Sequence, residues 1–338
     1  MTHVEVDPNS SLEDIYARWD DYLPKDPRYR EFLDMLLTAA PTDGASYHRA
    51  FAAAQRKLKL VPRKSHLLGL FCELERTGVV SMENPIRSLL VKKKQKSSSG
   101  VLVVTVLTSP YPRVGKKVQR FTCKWNCYYC PNEPGQPRSY LHDEPGVLRA
   151  NRNGFDPVLQ FHDRAATLAM NGHPVDKIEI LVLGGTWSSY QREYQRDFIR
   201  DIFYAANTFW DAQHDAIAVV RARNQLRAAG ATEAGAAAQA PSAAETMRPP
   251  RTLEEEHAAN EVARCKIIGL TLETRPDCIN APELLQLRRY GCTRVQIGIQ
   301  HTDDAILKLV NRGCSLSHTK SAVRQLLDSG FKVDGHLM

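Results

Sequence analysis

Five apolar segments between residues 101 and 338, separated by amphipathic stretches, most strongly restrict the folds open to this sequence. The segments are rich in Val, Ile and Leu, which is typical of buried parallel strands, and they cover residues 101–107, 177–183, 266–272, 294–299 and 332–338. Helical patterns occupy residues 157–171, 191–208, 281–290, 303–310 and 318–329. This alternation predicts an α/β fold in which βα units surround a parallel sheet, closed or partly closed as a TIM-like barrel.

Two further parts of the chain have other patterns. Residues 1–84 carry apolar side chains at three-to-four spacing with prolines as breaks, which predicts an N-terminal helical region with helices at 12–23, 28–40, 47–59 and 64–76. Residues 224–250 are rich in alanine, and their centre has no large apolar side chain. Such a segment cannot bury enough surface to fold, so we expect a disordered insertion within a domain that spans residues 85–338.

The most distinctive motif is C-x3-C-x2-C, formed by Cys123, Cys127 and Cys130 on a loop after the first apolar segment. Three thiolates within eight residues suit a soft metal centre, either an iron–sulfur cluster or zinc. A structural zinc site normally takes four protein ligands, whereas three cysteines on a four-iron cluster leave one iron open to a substrate. A zinc site completed by a distant His, and free thiols, are the alternatives.

Composition indicates a soluble, intracellular protein without membrane association. Of the 338 residues, 43% are hydrophobic and 25% are charged, as in ordinary globular proteins. No apolar run approaches the roughly 20 residues that a membrane span needs. The N-terminus lacks the pattern of a secretory signal, and eight cysteines without a regular framework indicate a reducing compartment.

Positive charge is concentrated just before and within the cysteine loop. Between Pro85 and Asn132 there is no acidic residue, although the net charge of the whole chain is only +7. A local field of one sign suits a phosphate-rich partner such as nucleic acid, and a solvated basic linker is the alternative. The candidate RNA contacts are Lys92, Lys93, Lys94, Lys96, Lys116, Lys117 and Arg120.

The cysteine spacing, on a loop after an apolar strand, resembles that of the radical S-adenosylmethionine (SAM) enzymes. The resemblance implies a [4Fe-4S] cluster held by the three cysteines as the catalytic centre, with SAM as its partner. Ligands of parallel barrels bind at the carboxyl ends of the strands, and three strand ends here carry matching residues. The candidate SAM contacts are Gly184, Gly185, Thr186, Glu273, Gln300 and Arg312, and a turn or other structural role is the alternative for each.

Longer motifs within residues 85–338, apart from the alanine-rich insertion, are similar to the catalytic subunit of Elongator. They lie at residues 108–112, 129–135, 144–149, 172–179, 183–187, 268–277 and 309–313. That family comprises tRNA-modifying enzymes in which an acetyltransferase domain follows the radical SAM domain. Their similarity implies an acyltransferase-type enzyme that forms a carboxymethyl group at C5 of the wobble uridine, from acetyl-CoA and through a 5′-deoxyadenosyl radical.

The same resemblance implies a co-substrate contact and partners. Lys177 matches a family lysine associated with acetyl-CoA, although a solvated lysine at the start of a strand is the alternative. The implied partners are tRNA, which the N-terminal helices are also expected to contact, and other Elongator subunits. The implied location is cytoplasmic or nuclear.

Two departures from the family pattern keep other functions open. Arg113 stands where many family members have their first cysteine, and Cys123 supplies that ligand instead. The sequence ends at Met338, where the family continues into the last barrel strand, so we expect the acetyltransferase domain to be absent. The alternatives are therefore another radical SAM enzyme and a truncated, non-catalytic tRNA-binding fragment.

Overall fold

The computed structural model describes residue 24 and residues 26–81, 83–91, 94–115, 117–210 and 251–338. These residues divide into two compact units, one containing residues up to 102 together with 165–175, the other containing 103–164 and 176–338. The helix expected at 12–23 and the insertion expected at 224–250 lie outside the described residues. No helix among the described residues is both long and apolar enough to cross a bilayer.

The first unit is helical, as the sequence predicts. Its helices are α1 (Pro27–Ala39), α2 (Gly44–Leu58), α3 (Lys64–Arg76) and α4 (Pro85–Leu90), followed by a 3-10 turn at Lys94–Ser97. Asp43 begins α2 with a capping box, in which its side chain and that of Ser46 each accept a backbone N–H. Phe32, Phe71 and Leu90 belong to one apolar cluster, so the helical unit extends beyond residue 84. Helix α4, with six residues, is not among the predicted helices.

The second unit is built on a five-stranded sheet, which confirms the α/β class. Its strands are β1 (Leu102–Leu107), β4 (Lys177–Leu183), β5 (Lys266–Thr274), β6 (Arg294–Gln300) and β7 (Lys332–Leu337), in the order β1-β4-β5-β6-β7. The pairs from β4 to β7 are parallel. Within the described part of the chain, β1 and β7 are the two edges, so the sheet is an open, partial barrel.

Helices connect these strands, as the alternating pattern predicts. They are α5 (Pro145–Arg152), α6 (Pro157–Met170), α7 (Arg192–Thr208), α8 (Leu253–Val262), α9 (Ala281–Arg289), α10 (Asp304–Leu309) and α11 (Leu316–Asp328). Between β1 and α5 lies a short antiparallel hairpin of β2 (Arg113–Val114) and β3 (Lys117–Val118). Short 3-10 turns follow β4 at Trp187–Ser189 and β5 at Pro276–Cys278. The hairpin and α5 are not predicted; the strands of the hairpin have two residues each, too few to show a period.

The two faces of the sheet differ, which corrects the expectation of strands buried on both faces. In β4, Ile178, Ile180 and Val182 are buried, while the alternate residues are half-buried or exposed. On β1, Val103 is 49% exposed. The second face carries polar groups, including an ion pair of Arg294 with Glu179 across the sheet. An open barrel leaves this inner face without an apolar filling, so a continuous apolar run need not be covered on both sides.

Candidate cofactor site

A cavity of about 530 Å³, open solvent at its mouth included, lies where β4, β5 and β6 end. The cysteine loop forms another part of its wall. Eight of the predicted cluster and SAM residues line this one cavity, namely Cys123, Cys127, Cys130, Gly184, Thr186, Glu273, Gln300 and Arg312. Residues that are far apart in the sequence therefore converge there because parallel strands bring their carboxyl ends to the same edge of the sheet.

The cysteine loop is held in place by backbone and aromatic contacts. The Phe121 N–H donates to the Pro110 carbonyl at 2.8 Å, and the Phe121 ring stacks on Tyr190 with centroids 4.2 Å apart. At the other end of the motif, the Tyr128 N–H donates to the Val310 carbonyl at 3.1 Å. The loop is thus tied to the region after β1 and to the end of α10.

Each of the three thiols has polar neighbours. The contacts are Cys123 Sγ with Thr186 Oγ1 at 3.7 Å, Cys127 Sγ with Arg275 Nη1 at 3.6 Å and Arg312 Nη1 at 3.9 Å, and Cys130 Sγ with Arg138 Nε at 3.3 Å and Ser139 Oγ at 3.0 Å. Burial alone would raise the pKa of the Cys127 thiol. The Tyr129 hydroxyl and the two guanidinium groups outweigh burial, so that the pKa of Cys127 lies below its ordinary value. This setting favours the thiolate form that binds metals.

The donor set fits an iron–sulfur cluster better than a single metal ion. Among the described residues, no group of three or more His, Cys, Asp and Glu side chains is arranged to hold one metal ion. A zinc site completed by a distant histidine therefore finds no support in this part of the chain. In a cubane cluster the three sulfurs need not converge on one ion, because each thiolate binds a different iron. Three thiols on one cavity wall, with cationic donors beside two of them, meet that requirement.

Gly184 lies at the end of β4, where no larger residue fits. Its φ of +131° is a backbone conformation that residues with a side chain rarely adopt, and a Cβ built there would lie 2.0 Å from Thr108 Oγ1. The neighbouring Gly185 does not line the cavity, and a Cβ there would meet the Phe121 ring at 2.4 Å. Gly185 therefore has a packing reason for lacking a side chain, and its predicted SAM contact stays a prediction.

Glu273, near the end of β5, faces the cavity with two partners. The Tyr140 hydroxyl donates to Glu273 Oε2 at 3.1 Å, and His336 Nδ1 lies 3.8 Å from Glu273 Oε1. Burial raises the pKa of Glu273, and the charge of His336 and the Tyr140 hydrogen bond act against that rise. Burial, followed by the charge of Glu273, raises the pKa of Tyr140 as well, so Tyr140 is a hydrogen-bond donor at neutral pH.

Gln300 has a strained backbone and Arg312 is buried, and both line the cavity together with the cysteines. Gln300 ends β6 with a φ of +72°, at a point where the β6–β7 ladder is irregular. Left-handed backbone in a non-glycine residue costs energy and clusters at functional sites. Arg312 is 5% exposed, and its guanidinium donates to the Gly298 carbonyl as well as to Cys127.

Several cavity residues are missing from the sequence-based prediction. They are Arg138, Ser139, Thr274, Arg275 and Gly298. Arg275 was within reach of sequence reasoning, because a charged residue directly after a buried strand end is unusual unless it serves a site. Arg138 offers no such signal, since nothing in the local pattern shows that it turns back towards Cys130.

Other predicted residues lie away from this cavity or outside the described residues. Lys177 is exposed at the amino end of β4, with its Nζ 3.8 Å from Asp176 Oδ2. Lys96, Lys117 and Arg120 are exposed. The structure does not describe Lys92, Lys93, Lys116 or the side chain of Lys94.

Comparisons with known proteins show what this chain is similar to. Residues 242–338 match the Radical SAM superfamily. The chain is 33% identical over 255 residues to the tRNA uridine(34) acetyltransferase of Methanocaldococcus infernus, covering 74% of this chain and 39% of that protein. It is 33% identical over 248 residues to the protein of the same name from Dehalococcoides mccartyi, covering 73% and 43%. It is 30% identical over 256 residues to the Elongator complex protein 3 of Homo sapiens, covering 74% and 39%.

A solved structure of the archaeal Methanocaldococcus infernus Elp3, with residues 1–46 deleted, also matches. It superposes with a TM-score of 0.46 at 30% identity, covering 71% of this chain and 38% of that one. The chain thus spans about two fifths of the length of these relatives.

Proposed function

Because residues 242–338 match the Radical SAM superfamily and about three quarters of the chain is similar to tRNA uridine(34) acetyltransferases and Elongator complex protein 3, we propose that the protein is a tRNA-modifying transferase. The proposed reaction is carboxymethylation at C5 of the wobble uridine, with acetyl-CoA as co-substrate. tRNA and other subunits of an Elongator-type assembly are the proposed partners. A cytoplasmic or nuclear location is part of the same proposal.

One observation carries this proposal: three thiols and three strand ends share one cavity. Cys123, Cys127 and Cys130 would hold three irons of a [4Fe-4S] cluster and leave the fourth open. When bound, such a cluster supplies the electron that cleaves SAM into methionine and a 5′-deoxyadenosyl radical.

The other residues of the site would bind and orient SAM. Gly184 and the Thr186 hydroxyl line the cavity and offer a surface for the methionine part of SAM. The Glu273 carboxylate, held by Tyr140, is a hydrogen-bond acceptor for a ribose hydroxyl. Gln300 at the end of β6 and Arg312 after α10 supply donors, and the aromatic rings of Trp125 and Tyr129 limit the access of water.

The acetyl-CoA contact at Lys177 rests on the family resemblance. Lys177 lies at the amino end of β4, seven residues before Gly184 at the carboxyl end, where the cavity opens. If acetyl-CoA binds at Lys177, the arm of CoA that carries the acetyl group has to extend along the whole strand to reach the cavity. A Lys177→Gln variant separates an acetyl-CoA contact from a solvated lysine: only a contact predicts weaker acetyl-CoA binding, with SAM cleavage measured in the absence of acetyl-CoA unchanged.

Anaerobic reconstitution tests the radical chemistry. We expect about four irons per chain and the formation of 5′-deoxyadenosine from SAM, stimulated by tRNA. The variant with Cys123, Cys127 and Cys130 all changed to Ala should lose both, whereas Cys72→Ser, in the helical unit, should keep both. SAM cleavage that ignores tRNA and acetyl-CoA would identify another radical SAM enzyme instead.

Salt dependence tests the tRNA contact. Phosphate contacts by Lys117 and Arg120 predict that the double change to Gln lowers affinity for all tRNAs alike and reduces the slope of log K against log salt by about one per lost contact. Lys332→Gln, an exposed cation at the amino end of β7, is the matched control and should change neither quantity. Salt-sensitive tRNA binding by a chain that takes up no iron would indicate a non-catalytic binding protein.

A further inference from the structure

Arg275 is a buried cation with four contacts, all of them at the cysteine loop or its support. Its side chain is 4% exposed, and its Nε donates to Asp277 Oδ1 at 2.9 Å. Nη1 lies 3.6 Å from Cys127 Sγ, and Nη2 donates to the Arg312 carbonyl at 2.6 Å. The guanidinium also lies 4.0 Å over the centre of the Trp125 ring.

These contacts join three separate segments of the chain. Arg275 follows β5, Cys127 lies 148 residues earlier in the cysteine loop, and Arg312 lies 37 residues later, beyond α10. An ion pair with Asp277 alone could form at the surface and would not need to be buried, because burying a charge costs free energy. Burial here places the planar guanidinium where its fixed donors reach a thiol, a carbonyl and an aromatic face together.

A permanent positive charge beside a cluster ligand affects the electron affinity of the cluster. Reduction adds one electron and thus one negative charge, which a nearby guanidinium and its hydrogen bond to sulfur stabilise. Guanidinium nitrogen atoms contact Cys127 and Cys130, whereas the contact at Cys123 comes from the neutral Thr186 hydroxyl. The cationic surroundings are therefore concentrated on one side of the three-thiol set.

We propose that Arg275 is a positioning residue that fixes the Cys127 side of the cysteine loop and raises the reduction potential of the cluster bound there. Asp277 sets how much of that positive charge the cluster experiences, since the two side chains form an ion pair. This inference rests on the proposed function, because it requires a cluster on the three cysteines.

The test is a redox titration of the reconstituted protein without SAM, followed by electron paramagnetic resonance, with iron content measured on the same samples. Arg275→Gln removes the charge and should shift the midpoint potential to a more negative value. Asp277→Asn keeps an acceptor for Nε but removes the counter-charge, so its midpoint should shift in the positive direction. Arg275→Lys keeps the charge and should stay closer to the wild type than Arg275→Gln.

Lys124→Gln is the matched control. Lys124 also lies over the Trp125 ring, at 5.5 Å, but it is exposed to solvent, so its removal should leave the potential unchanged. If Arg275 has a purely structural role, its variants should lose iron, and the midpoint potential of Asp277→Asn should not shift in the positive direction. An Asp277→Asn potential that is unchanged or more negative overturns the inference, even if Arg275→Gln takes up no iron. Failure of the wild-type protein to form a cluster would instead overturn the proposed function.

Discussion

Replacing Gly184 with Ala tests whether the end of β4 has room for a side chain. The φ of +131° would cost a non-glycine residue about 1–3 kcal/mol. The new methyl group would also lie 2.0 Å from Thr108 Oγ1 and displace it from Tyr190 Oη, at present 2.8 Å away. Losing that buried hydrogen bond costs about 0.5–1.5 kcal/mol. Together these changes predict a loss of about 2–4 kcal/mol in the free energy of unfolding.

The assay is urea unfolding followed by circular dichroism, with two companion variants. Gly135→Ala has a φ of +79° but no atom within 4 Å of the added methyl group, so it should show the backbone cost without the clash. The double variant of Gly184→Ala and Thr108→Ala removes the clashing hydroxyl. Its loss in the free energy of unfolding should be about 1 kcal/mol smaller than the sum of the losses in the two single variants.

Two results would refute this reasoning. If Gly184→Ala is no more destabilising than Gly135→Ala, the close approach of Thr108 contributes nothing. If the effects of Gly184→Ala and Thr108→Ala simply add, the two sites are not coupled through the displaced hydroxyl. In either case the bare backbone at the cavity would need another explanation.

Three further predictions concern buried polar groups. Burial lowers the pKa of His162 to about 4, against about 6.5 in an unfolded chain, so unfolding takes up a proton between these pH values. The free energy of unfolding should therefore fall by about 3 kcal/mol from pH 6.5 to pH 4. Urea titrations at several pH values measure this fall, and His162→Gln should make it smaller. Arg192→Gln deprives the buried Glu283 carboxylate of its ion-pair partner and should cost about 1–3 kcal/mol in thermal unfolding, against less than about 0.5 for the exposed Arg196→Gln, and equal losses would contradict this. Asn260→Ala leaves backbone groups at the start of β5 without their hydrogen bonds, so hydrogen exchange at the first residues of β5 should accelerate while that of β7 stays unchanged.

The sequence was sufficient for the order of strands and helices because long apolar and amphipathic runs carry their own period. It also predicted that Glu273 and Gln300 face the cysteine loop, since parallel strands end at one edge of the sheet. It could not predict the contact of Arg275 with Cys127, because a side chain that turns back across 148 residues leaves no local pattern. The exposure of Val103 could not be predicted either, since an apolar run does not show how many faces of a sheet are covered.

The contacts of Cys127 have a consequence for how the protein is made. A ribosome that has just completed the cysteine loop has produced every thiol of the motif, but Arg275 and Arg312 follow 148 and 185 residues later. Iron that reached the nascent loop would meet the Cys127 thiol without its two cationic neighbours. Iron delivered after Arg275 and Arg312 have been made and folded into place meets a Cys127 thiol whose pKa is already lowered, so the order of translation favours metal loading after this domain has folded.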